Sequence, residues 1–179
     1  MEAPAPLRKT LALVFCDIAG TTRLTAQEGD LFVAIMLRQF FEQAGQLGTE
    51  HHCLIIKFLG DGFLAAFENV ENVMPFVFSI QSLLSQNSMS IGRSMGFKFS
   101  LHYGNVVHIE TSYGGDVLGE EVNVAARLND LAQPNEIVVS QAALEWMPTD
   151  QRTRAGASES RQFKRVGEVK FRRLNLLGS

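Results

Sequence analysis

The chain has 179 residues, of which 46% are hydrophobic, so it is long enough for one well-buried core and short for two. Its formal net charge of −3 gives no general attraction to nucleic acid or to an anionic membrane. No apolar stretch approaches membrane-spanning length, and the first ten residues lack the apolar core of a signal peptide. We therefore expect one soluble domain that contacts neither nucleic acid nor a membrane.

The two cysteines, Cys16 and Cys53, lie inside apolar runs. They have neither metal-ligand spacing nor the pattern of a disulfide framework, so buried free thiols are predicted. Free thiols are typical of a reducing compartment, and we expect a cytoplasmic location.

The first half of the chain predicts a strand, a helix, a hairpin and a second helix. Residues 1–10 are a Pro/Ala-rich lead-in that we expect to be flexible, and the apolar run LALVFCDI at residues 11–18 predicts a central strand covered on both faces. Apolar residues at helical spacing predict one long helix over residues 25–46. CLIIKF and GFLAAF flank an Asp-Gly turn, which is a strong hairpin signal, and residues 70–84 predict the next helix.

The second half predicts further strands around one more helix. FKFSLHYGNVVHIE predicts two strands hinged near Gly104, and residues 119–132 predict a helix that ends before Pro134. EIVVS predicts a short strand, residues 148–160 a polar loop, and RQFKRVGEVKF a final strand or hairpin. This order predicts an α+β fold with helices packed on one face of a mostly antiparallel sheet.

Two carboxylates are placed where the predicted sheet would bring them to one edge. Asp17 lies at the end of the first strand and Asp61 at the tip of the hairpin. If these elements are neighbours, the converging charges need a cation, for which Mg²⁺ or Mn²⁺ is the natural choice. The turn at residues 18–22 would also expose backbone N–H groups that can bind phosphate. When each motif is considered alone, the favoured explanation is that Asp17 caps a turn and that Asp61 is the ordinary turn residue of an Asp-Gly hairpin.

The segment YGGDVLGEEVNVAARLNDL carries a third group of polar residues. Asn123 and Arg127 are four residues apart on the predicted helix and share a face, and Asp116 lies in the predicted loop before it. For this stretch alone, an ordinary amphipathic helix with Arg127 reaching into solvent is the simpler explanation. GGD at residues 114–116 is similar to the signature of diguanylate cyclases, where it forms a hairpin turn; because a helix is predicted after Asp116, we reject that match.

Taken together, the motifs resemble the class III nucleotidyl cyclase catalytic domain. VFCDIAGTT is similar to the family's Phe-x-Asp-Ile-x-Gly-Phe-Thr, KFLGDGFLAAF to its Lys-x-x-Gly-Asp hairpin, and DVLGEEVNVAAR to its Asp-x₆-Asn-x₃-Arg segment. The resemblance covers residues 11–171, and three motifs in the right order outweigh the single-motif explanations. It implies a ferredoxin-like, mostly antiparallel sheet with flanking helices over residues 11–179, and one family strand beyond the end of the sequence given.

The resemblance implies an adenylate cyclase that converts ATP to 3′,5′-cyclic AMP and pyrophosphate. Two divalent cations, Mg²⁺ or Mn²⁺, would be bound by Asp17, Asp61 and the carbonyl of Ile18, for in-line attack of the ribose 3′-hydroxyl on the α-phosphate. Arg127 would stabilise charge on that phosphate, and Asn123 would orient the ribose. The family's sites form between two catalytic domains, so a head-to-tail homodimer is implied, and a covalently linked sensor domain outside this segment is a further expectation.

Lys57 and Asp116 occupy the family's purine-selecting positions. Adenine presents an acceptor at N1 and a donor at its 6-amino group, so a lysine that donates and a carboxylate that accepts complement it, whereas guanine presents the opposite pattern. Triphosphate contacts are implied for the turn residues and for two cations: Gly20, Thr21, Thr22, Lys98 and Arg172. Three of these depart from the family, since an aromatic residue is usual in place of Thr21, an arginine in place of Lys98 and a lysine near Arg172.

Two other functions stay open. A guanylyl or relaxed-specificity cyclase is disfavoured by Lys57 and Asp116, because a guanylyl enzyme typically has an acid where Lys57 stands. A catalytically weak nucleotide-binding dimerisation module is disfavoured because it has no need of both metal carboxylates and Arg127.

Overall fold

The computed structural model describes residues 5–91, 96–112 and 114–177, excluding the side chains of residues 84–91. Residues 1–4 of the predicted lead-in lie outside the described residues. The strands are β1 (Leu7–Ala19), β2 (Ile55–Leu59), β3 (Gly62–Phe67), β4 (Gly96–Thr111), β5 (Gly114–Leu118), β6 (Glu136–Ser140), β7 (Glu159–Phe163) and β8 (Gly167–Asn175). The helices are α1 (Thr21–Glu28), α2 (Asp30–Glu50), α3 (Val73–Ile91), α4 (Glu120–Asn129), α5 (Gln141–Leu144) and α6 (Thr149–Thr153), with a 3₁₀ turn at Val70–Asn72.

The sheet is built around β1. Its order is β2-β3-β1-β4-β6-β8-β7, and β5 pairs with the far end of β4. β1 pairs with β3 through residues 12–17 and with β4 along its whole length. Every described strand pair is antiparallel except β4 with β6. The prediction of an α+β fold with a mostly antiparallel sheet is therefore confirmed.

Helices cover both faces of this sheet. Along β1, Ala12 and Val14 face the cluster that contains buried residues of α2, α3 and α5. Leu11 and Leu13 face the opposite side, where they pack with Ala125 of α4. The prediction that the helices lie on one face is wrong, because a strand that is apolar at successive positions must be covered on both sides.

One strand, β4, takes the place of the two predicted around Gly104. A Cβ at Gly104 would lie 2.7 Å from Glu121 Cγ, so this glycine makes room for a side chain of α4 instead of providing a hinge. The far half of β4 curls with β5 over the sheet, since Val106 and Val117 pack in one cluster with Ile55 of β2. Strong twisting of this kind is common in two-stranded ribbons.

The predicted helix over residues 25–46 is in fact two helices. Gly29 separates α1 from α2 with φ 86° and ψ 161°, a conformation that favours glycine. The apolar spacing continues across this break, so the sequence pattern did not reveal it. The first of the two helices, α1, begins directly after Gly20.

The last third of the chain is close to the sequence prediction. EIVVS forms β6, and the final hairpin is β7 with β8. The predicted polar loop contains the short helix α6 and the first residues of β7. No helix in the described residues is both long and apolar enough to cross a bilayer.

Both cysteines are free thiols, as predicted, although Cys53 is only partly buried. Burial raises the pKa of Cys53 from 9.0 to about 11 and raises the pKa of Cys16 well above its ordinary value. Both thiols therefore stay protonated near neutral pH.

Candidate active site

Asp17 and Asp61 meet where β1 lies beside the β2–β3 hairpin. Asp17 is in register with Gly62, the first residue of β3, so the preceding Asp61 lies at the same edge of the sheet. Gly62 allows this close approach, because a Cβ there would overlap the backbone carbonyl of Cys16 and lie 3.2 Å from Asp17 Cα. The structure thus brings together the two carboxylates that the sequence paired.

Thr21 links the other proposed metal ligands. Its hydroxyl donates a hydrogen bond to Asp61 Oδ2 and lies 3.3 Å from the carbonyl oxygen of Ile18. Since one buried hydroxyl reaches both oxygens, the carbonyl and the carboxylate converge on a common point. The sequence does not indicate this contact: it predicts a triphosphate contact for Thr21 and marks it as a departure from the family's aromatic residue.

These oxygens suit a hard divalent cation. Carboxylate and carbonyl oxygens are the ligands that Mg²⁺ and Mn²⁺ prefer. The described residues contain no cluster of three or more His, Cys, Asp or Glu side chains that could bind a metal. An ion at Asp17 and Asp61 would therefore need the Ile18 carbonyl together with water or substrate oxygens, which is typical of Mg²⁺.

Lys98 lies against this cluster. Its Nζ is 2.6 Å from Asp17 Oδ2, and the two side chains are 26% and 33% exposed. The two residues are directly opposite in the β1–β4 ladder. The sequence implied a triphosphate contact for Lys98, whereas in the structure its ammonium group binds a proposed metal ligand.

The turn after β1 leads into a helix N-terminus. Gly20 has φ 96° and precedes α1, and the Leu24 amide donates to the Gly20 carbonyl at 2.9 Å. The amides of residues 21–23 therefore belong to the first turn, where N–H groups lack intrahelical partners and can bind anions. The exposed Thr22 lies here, beside a cavity of about 430 Å³ lined by Thr21, Thr22, Thr25, Ala26, Val33, Leu37 and Asp61. The sequence gave no indication that Val33 and Leu37 would line it.

Lys57 of β2 and Asp116 of β5 form an ion pair that is separate from the carboxylates. Lys57 Nζ is 2.5 Å from Asp116 Oδ2, and the side chains are 44% and 35% exposed. Asp116 Oδ1 also accepts a hydrogen bond from the Val117 amide at 2.8 Å. The pair joins β2 to β5, which the curl of the β4–β5 ribbon brings over the sheet.

Asp116 lies within β5, so its predicted position in a loop is wrong. Val117 and Leu118 continue the strand, and α4 begins only at Glu120. The tripeptide GGD therefore does lie in a hairpin, formed by β4 and β5. The reason that the sequence offered against the diguanylate cyclases, a helix directly after Asp116, was therefore incorrect.

Asn123 and Arg127 lie on the solvent side of α4. Both are exposed, and the Arg127 guanidinium contacts Asp130 at 3.4 Å. The opposite side of the helix is fixed to the sheet, where Ser100 Oγ donates to the Ala125 carbonyl at 2.7 Å. The two residues share a face, as predicted, and that face points away from the body of the chain.

A buried histidine, which the sequence did not single out, anchors the first turn of α4. His102 of β4 lies with Nε2 2.5 Å from Glu121 Oε2 and Nδ1 2.8 Å from Ser140 Oγ. Ser140 ends β6 and caps α5 by accepting from the Ala143 amide. This network ties α4 to two strands, and only the tertiary pairing of β4 with β6 could have revealed it.

Arg172 lies apart from the carboxylates within the chain. It is opposite Val139 in the β6–β8 ladder, three strands from β1, which corresponds to roughly 14 Å across the sheet. It lines a cavity of about 170 Å³ with Gln141 and Leu144 of α5, the following Glu145, and Arg152 of α6.

The proposed site residues therefore fall into separate groups. Asp17, Asp61, Thr21 and Lys98 form one cluster, which we call the carboxylate cluster. The ion pair of Lys57 with Asp116 is the second, which we call the base-reading pair after the role that the sequence resemblance predicts for it, although only four residues separate Lys57 from Asp61 in sequence. No hydrogen bond or ion pair in the described residues joins the two.

Curated relatives match most of this chain but are much longer. "Putative adenylate cyclase 3" of Rhizobium meliloti is 24% identical over 142 residues, which are 78% of this chain and 24% of that protein. An uncharacterized protein of Mycobacterium tuberculosis is 28% identical over 158 residues, which are 80% of this chain and 28% of that protein. The chain thus spans about a quarter of the length of these relatives.

Solved structures of cyclases share the fold. The catalytic core of a rhodopsin-guanylyl cyclase with converted specificity, in complex with ATPαS, gives a TM-score of 0.81 at 14% identity and covers 96% of this chain and 98% of that chain. The adenylyl cyclase CyaB from P. aeruginosa gives 0.76 at 16% identity, with coverage of 96% and 97%. The guanylyl cyclase Cya2 gives 0.75 at 20% identity, with coverage of 95% and 93%. Because both kinds of cyclase are among these structures, the likeness leaves the nucleotide open.

A comparison with protein families gives the assignment. The family model of the adenylate and guanylate cyclase catalytic domain matches residues 4–173, which is nearly the whole chain. This match agrees with the fold and with the order of the three motifs. The chain therefore belongs to the adenylate and guanylate cyclase catalytic domain family.

Proposed function

We propose that this chain is an adenylate cyclase that converts ATP to 3′,5′-cyclic AMP and pyrophosphate. The observation that carries the choice of ATP is the base-reading pair, in which Lys57 Nζ lies 2.5 Å from Asp116 Oδ2. One donor and one acceptor lie side by side at an accessible position, and this arrangement complements N1 and the 6-amino group of adenine. Guanine would instead place a donor opposite the Lys57 ammonium group and an acceptor opposite the Asp116 carboxylate. A mismatch of this kind can reject an analogue by orders of magnitude.

The carboxylate cluster supplies the ligands for the metal ions in this proposal. Asp17, Asp61 and the Ile18 carbonyl would bind divalent cations, and the first-turn amides of α1 would bind phosphate oxygens. Two bound cations would activate the ribose 3′-hydroxyl and offset the charge of the triphosphate. Arg127 would stabilise charge at the α-phosphate while Asn123 holds the ribose in line. The 3′-oxygen bonds to the α-phosphorus, pyrophosphate leaves, and the hydroxyl proton passes to solvent.

The exposed positions of these residues support a head-to-tail homodimer. Asn123 and Arg127 project from α4 into solvent, and the carboxylate cluster makes no polar contact with the base-reading pair in the described residues. A two-fold axis would let Asp17 and Asp61 of one subunit face the base-reading pair, Asn123 and Arg127 of the other. Each dimer would then contain two complete sites.

The direct experiment measures cyclic products and pyrophosphate after incubation of the purified chain with ATP or GTP and Mn²⁺ or Mg²⁺. We expect cyclic AMP from ATP, with kcat/KM for GTP lower by about tenfold or more. Lys57→Glu should reduce this preference, because it replaces the donor by an acceptor. Arg38→Glu is the matched control: it reverses a charge on the exposed surface of α2 and should leave the ratio unchanged.

Two outcomes would contradict the proposal. Equal or faster turnover of GTP would refute the adenylate assignment and favour a guanylyl or relaxed-specificity cyclase. If the dimer forms no cyclic product from ATP or from GTP, the proposed enzymatic activity is refuted and a nucleotide-binding dimerisation module is favoured.

A further inference from the structure

The ion pair between Lys98 and Asp17 is built into the sheet. The residues are directly opposite in the antiparallel ladder of β1 and β4, so both side chains leave the same face. Nζ lies 2.6 Å from Oδ2, and each side chain is at most one third exposed. Neither side chain has another described ion pair, and the register of the two strands places the ammonium group beside this carboxylate.

The remaining oxygens of the cluster are also engaged by the chain. The Thr21 hydroxyl donates to Asp61 and lies 3.3 Å from the Ile18 carbonyl. Asp17 and Asp61 are therefore each met by an internal donor, and the Ile18 carbonyl lies beside the Thr21 hydroxyl. The two donors differ in kind, because a neutral hydroxyl oxygen can itself ligate a metal ion whereas an ammonium group cannot.

We propose that Lys98 competes with the divalent cation for Asp17 in the nucleotide-free chain. This inference rests on the proposed function, since it takes Asp17 as a metal ligand. A cation that approaches Asp17 meets a positive charge already in contact with the same carboxylate, and partial burial limits screening by salt. Lys98 must leave Oδ2, or tolerate a doubly charged neighbour, before the ion is bound.

Nucleotide would remove this obstacle. A triphosphate bound beside the cluster offers the Lys98 ammonium group another anionic partner, so binding of nucleotide frees Asp17 for the cation. The cation and the nucleotide then bind cooperatively, and each raises the affinity of the other by the same factor. Lys98 is thus a positioning residue that makes metal binding depend on substrate.

The experiment measures the dissociation constant of Mn²⁺ by electron paramagnetic resonance of the free ion. The dimeric chain is titrated alone and again with saturating α,β-methylene ATP, in the wild type and in Lys98→Met and Lys98→Arg. Without nucleotide, we expect Lys98→Met to bind Mn²⁺ about tenfold more tightly than the wild type, because the competing charge is gone. The ratio of the dissociation constants without and with nucleotide should fall in Lys98→Met and persist in Lys98→Arg.

Two controls make the result specific. Asp17→Asn combined with Lys98→Met should abolish the gain in Mn²⁺ affinity. This result would show that the ion binds at the Asp17 carboxylate. Lys98→Gln provides a second neutral variant, and circular dichroism and thermal melting check that each variant is folded.

A purely structural ion pair predicts the opposite pattern. In that case Lys98→Met and Lys98→Gln lower the melting temperature but leave the affinity for Mn²⁺ unchanged or weaker, and either result overturns the proposal. Failure of all variants to bind Mn²⁺ also overturns it. Tighter Mn²⁺ binding by Lys98→Met without any cyclic product would support the competition while refuting the proposed cyclase activity, so the two failures are distinguishable.

Discussion

At the scale of single residues, the meeting of the two carboxylates depends on a glycine. Gly62 lies against the backbone of β1, where a Cβ would overlap the Cys16 carbonyl. The obstacle is main chain and cannot move aside as a flexible side chain would. Gly60, two residues earlier, has φ 62°, and a Cβ there would meet nothing within 4 Å. The same hairpin therefore contains one glycine required by space and one required by backbone conformation.

Gly62→Ala should consequently be severe. The variant has to push β3 away from β1, and we expect the free energy of unfolding to fall by about 2–3 kcal/mol, together with loss of cyclase activity. Gly60→Asn is the control, because asparagine tolerates a positive φ and meets no neighbour; about 1 kcal/mol or less is expected. Urea denaturation of both variants checks this difference, which equal losses would contradict.

The partly buried thiol of Cys53 makes the stability of the fold depend on pH. Burial raises the pKa of Cys53 to about 11, above its ordinary 9.0, so the folded chain keeps a proton that the unfolded chain releases between these values. The free energy of unfolding should therefore be unaffected by this group below pH 9 and should decline as the pH rises from 9 towards 11. Cys53→Ala should show a shallower decline in urea unfolding at pH 8, 9, 10 and 11. An identical slope in the variant would exclude this contribution.

The sequence could place Asp17 at a strand end and Asp61 at a hairpin tip because both are local patterns, and it predicted their meeting on the condition that the two elements are neighbours in the sheet. It could not predict that Lys98 lies on Asp17, since this contact depends on the register of β1 with β4, which are some eighty residues apart in the chain. The same limitation applies to the Thr21 hydroxyl and Asp61. The roles of all the proposed site residues in catalysis stay predictions.

At the scale of secondary-structure elements, α4 is the helix whose position matters most for the proposed chemistry. It presents Asn123 and Arg127 to solvent while its inner side is held by the Ser100 and His102 contacts. A helix of ten residues has little stability of its own, so its orientation depends on these tertiary contacts.

His102→Ala tests this dependence. It leaves Glu121 and Ser140 without their shared partner, and we expect about 2–3 kcal/mol less stability. Because α4 carries Asn123 and Arg127, kcat should fall more than KM rises. His108→Ala on the same strand is the control: it removes a partly buried imidazole that makes no described side-chain hydrogen bond, and about 1 kcal/mol or less is expected. A change in stability with kcat unaltered would mean that His102 does not position α4 for catalysis.

Most elements could be predicted from local patterns, and the errors have physical causes. Gly29 interrupts a continuous apolar repeat, so only its backbone conformation separates α1 from α2. Gly104 suggested a hinge, but it serves to accommodate Glu121. The position of α4 on the second face of the sheet depends on long-range packing with Leu11 and Leu13, which periodicity within one helix does not specify.

At the scale of the whole molecule, the separation of the carboxylate cluster from exposed Arg127 makes complementation between subunits the informative test. Asp61→Asn and Arg127→Ala should each be inactive alone. When they are mixed in equal amounts and allowed to exchange, half of the dimers are mixed and each has one intact site, so about one quarter of wild-type activity is expected. Product formation after exchange measures this.

The matched control mixes Asp17→Asn with Asp61→Asn. Both changes damage the same half of the site, so no mixed dimer has an intact one and activity should stay near zero. Activity that is undiminished in a dissociated, folded monomer would contradict the shared site, as would lack of restoration in the first mixture after exchange has been verified.

The pairing of β1 with strands on both sides also affects local unfolding. Residues 12–17 are hydrogen-bonded to strands on both sides, and Asp17 is the last residue of that doubly paired stretch. Amides in such a position usually exchange with deuterium only when the whole domain opens, whereas those of exposed turns exchange through small fluctuations. Asp17 is therefore anchored in the segment expected to exchange last, while Asp61, its partner across the site, extends from a turn that can open on its own. If the site loses its geometry before the domain unfolds, the first movement should come from the Asp61 side.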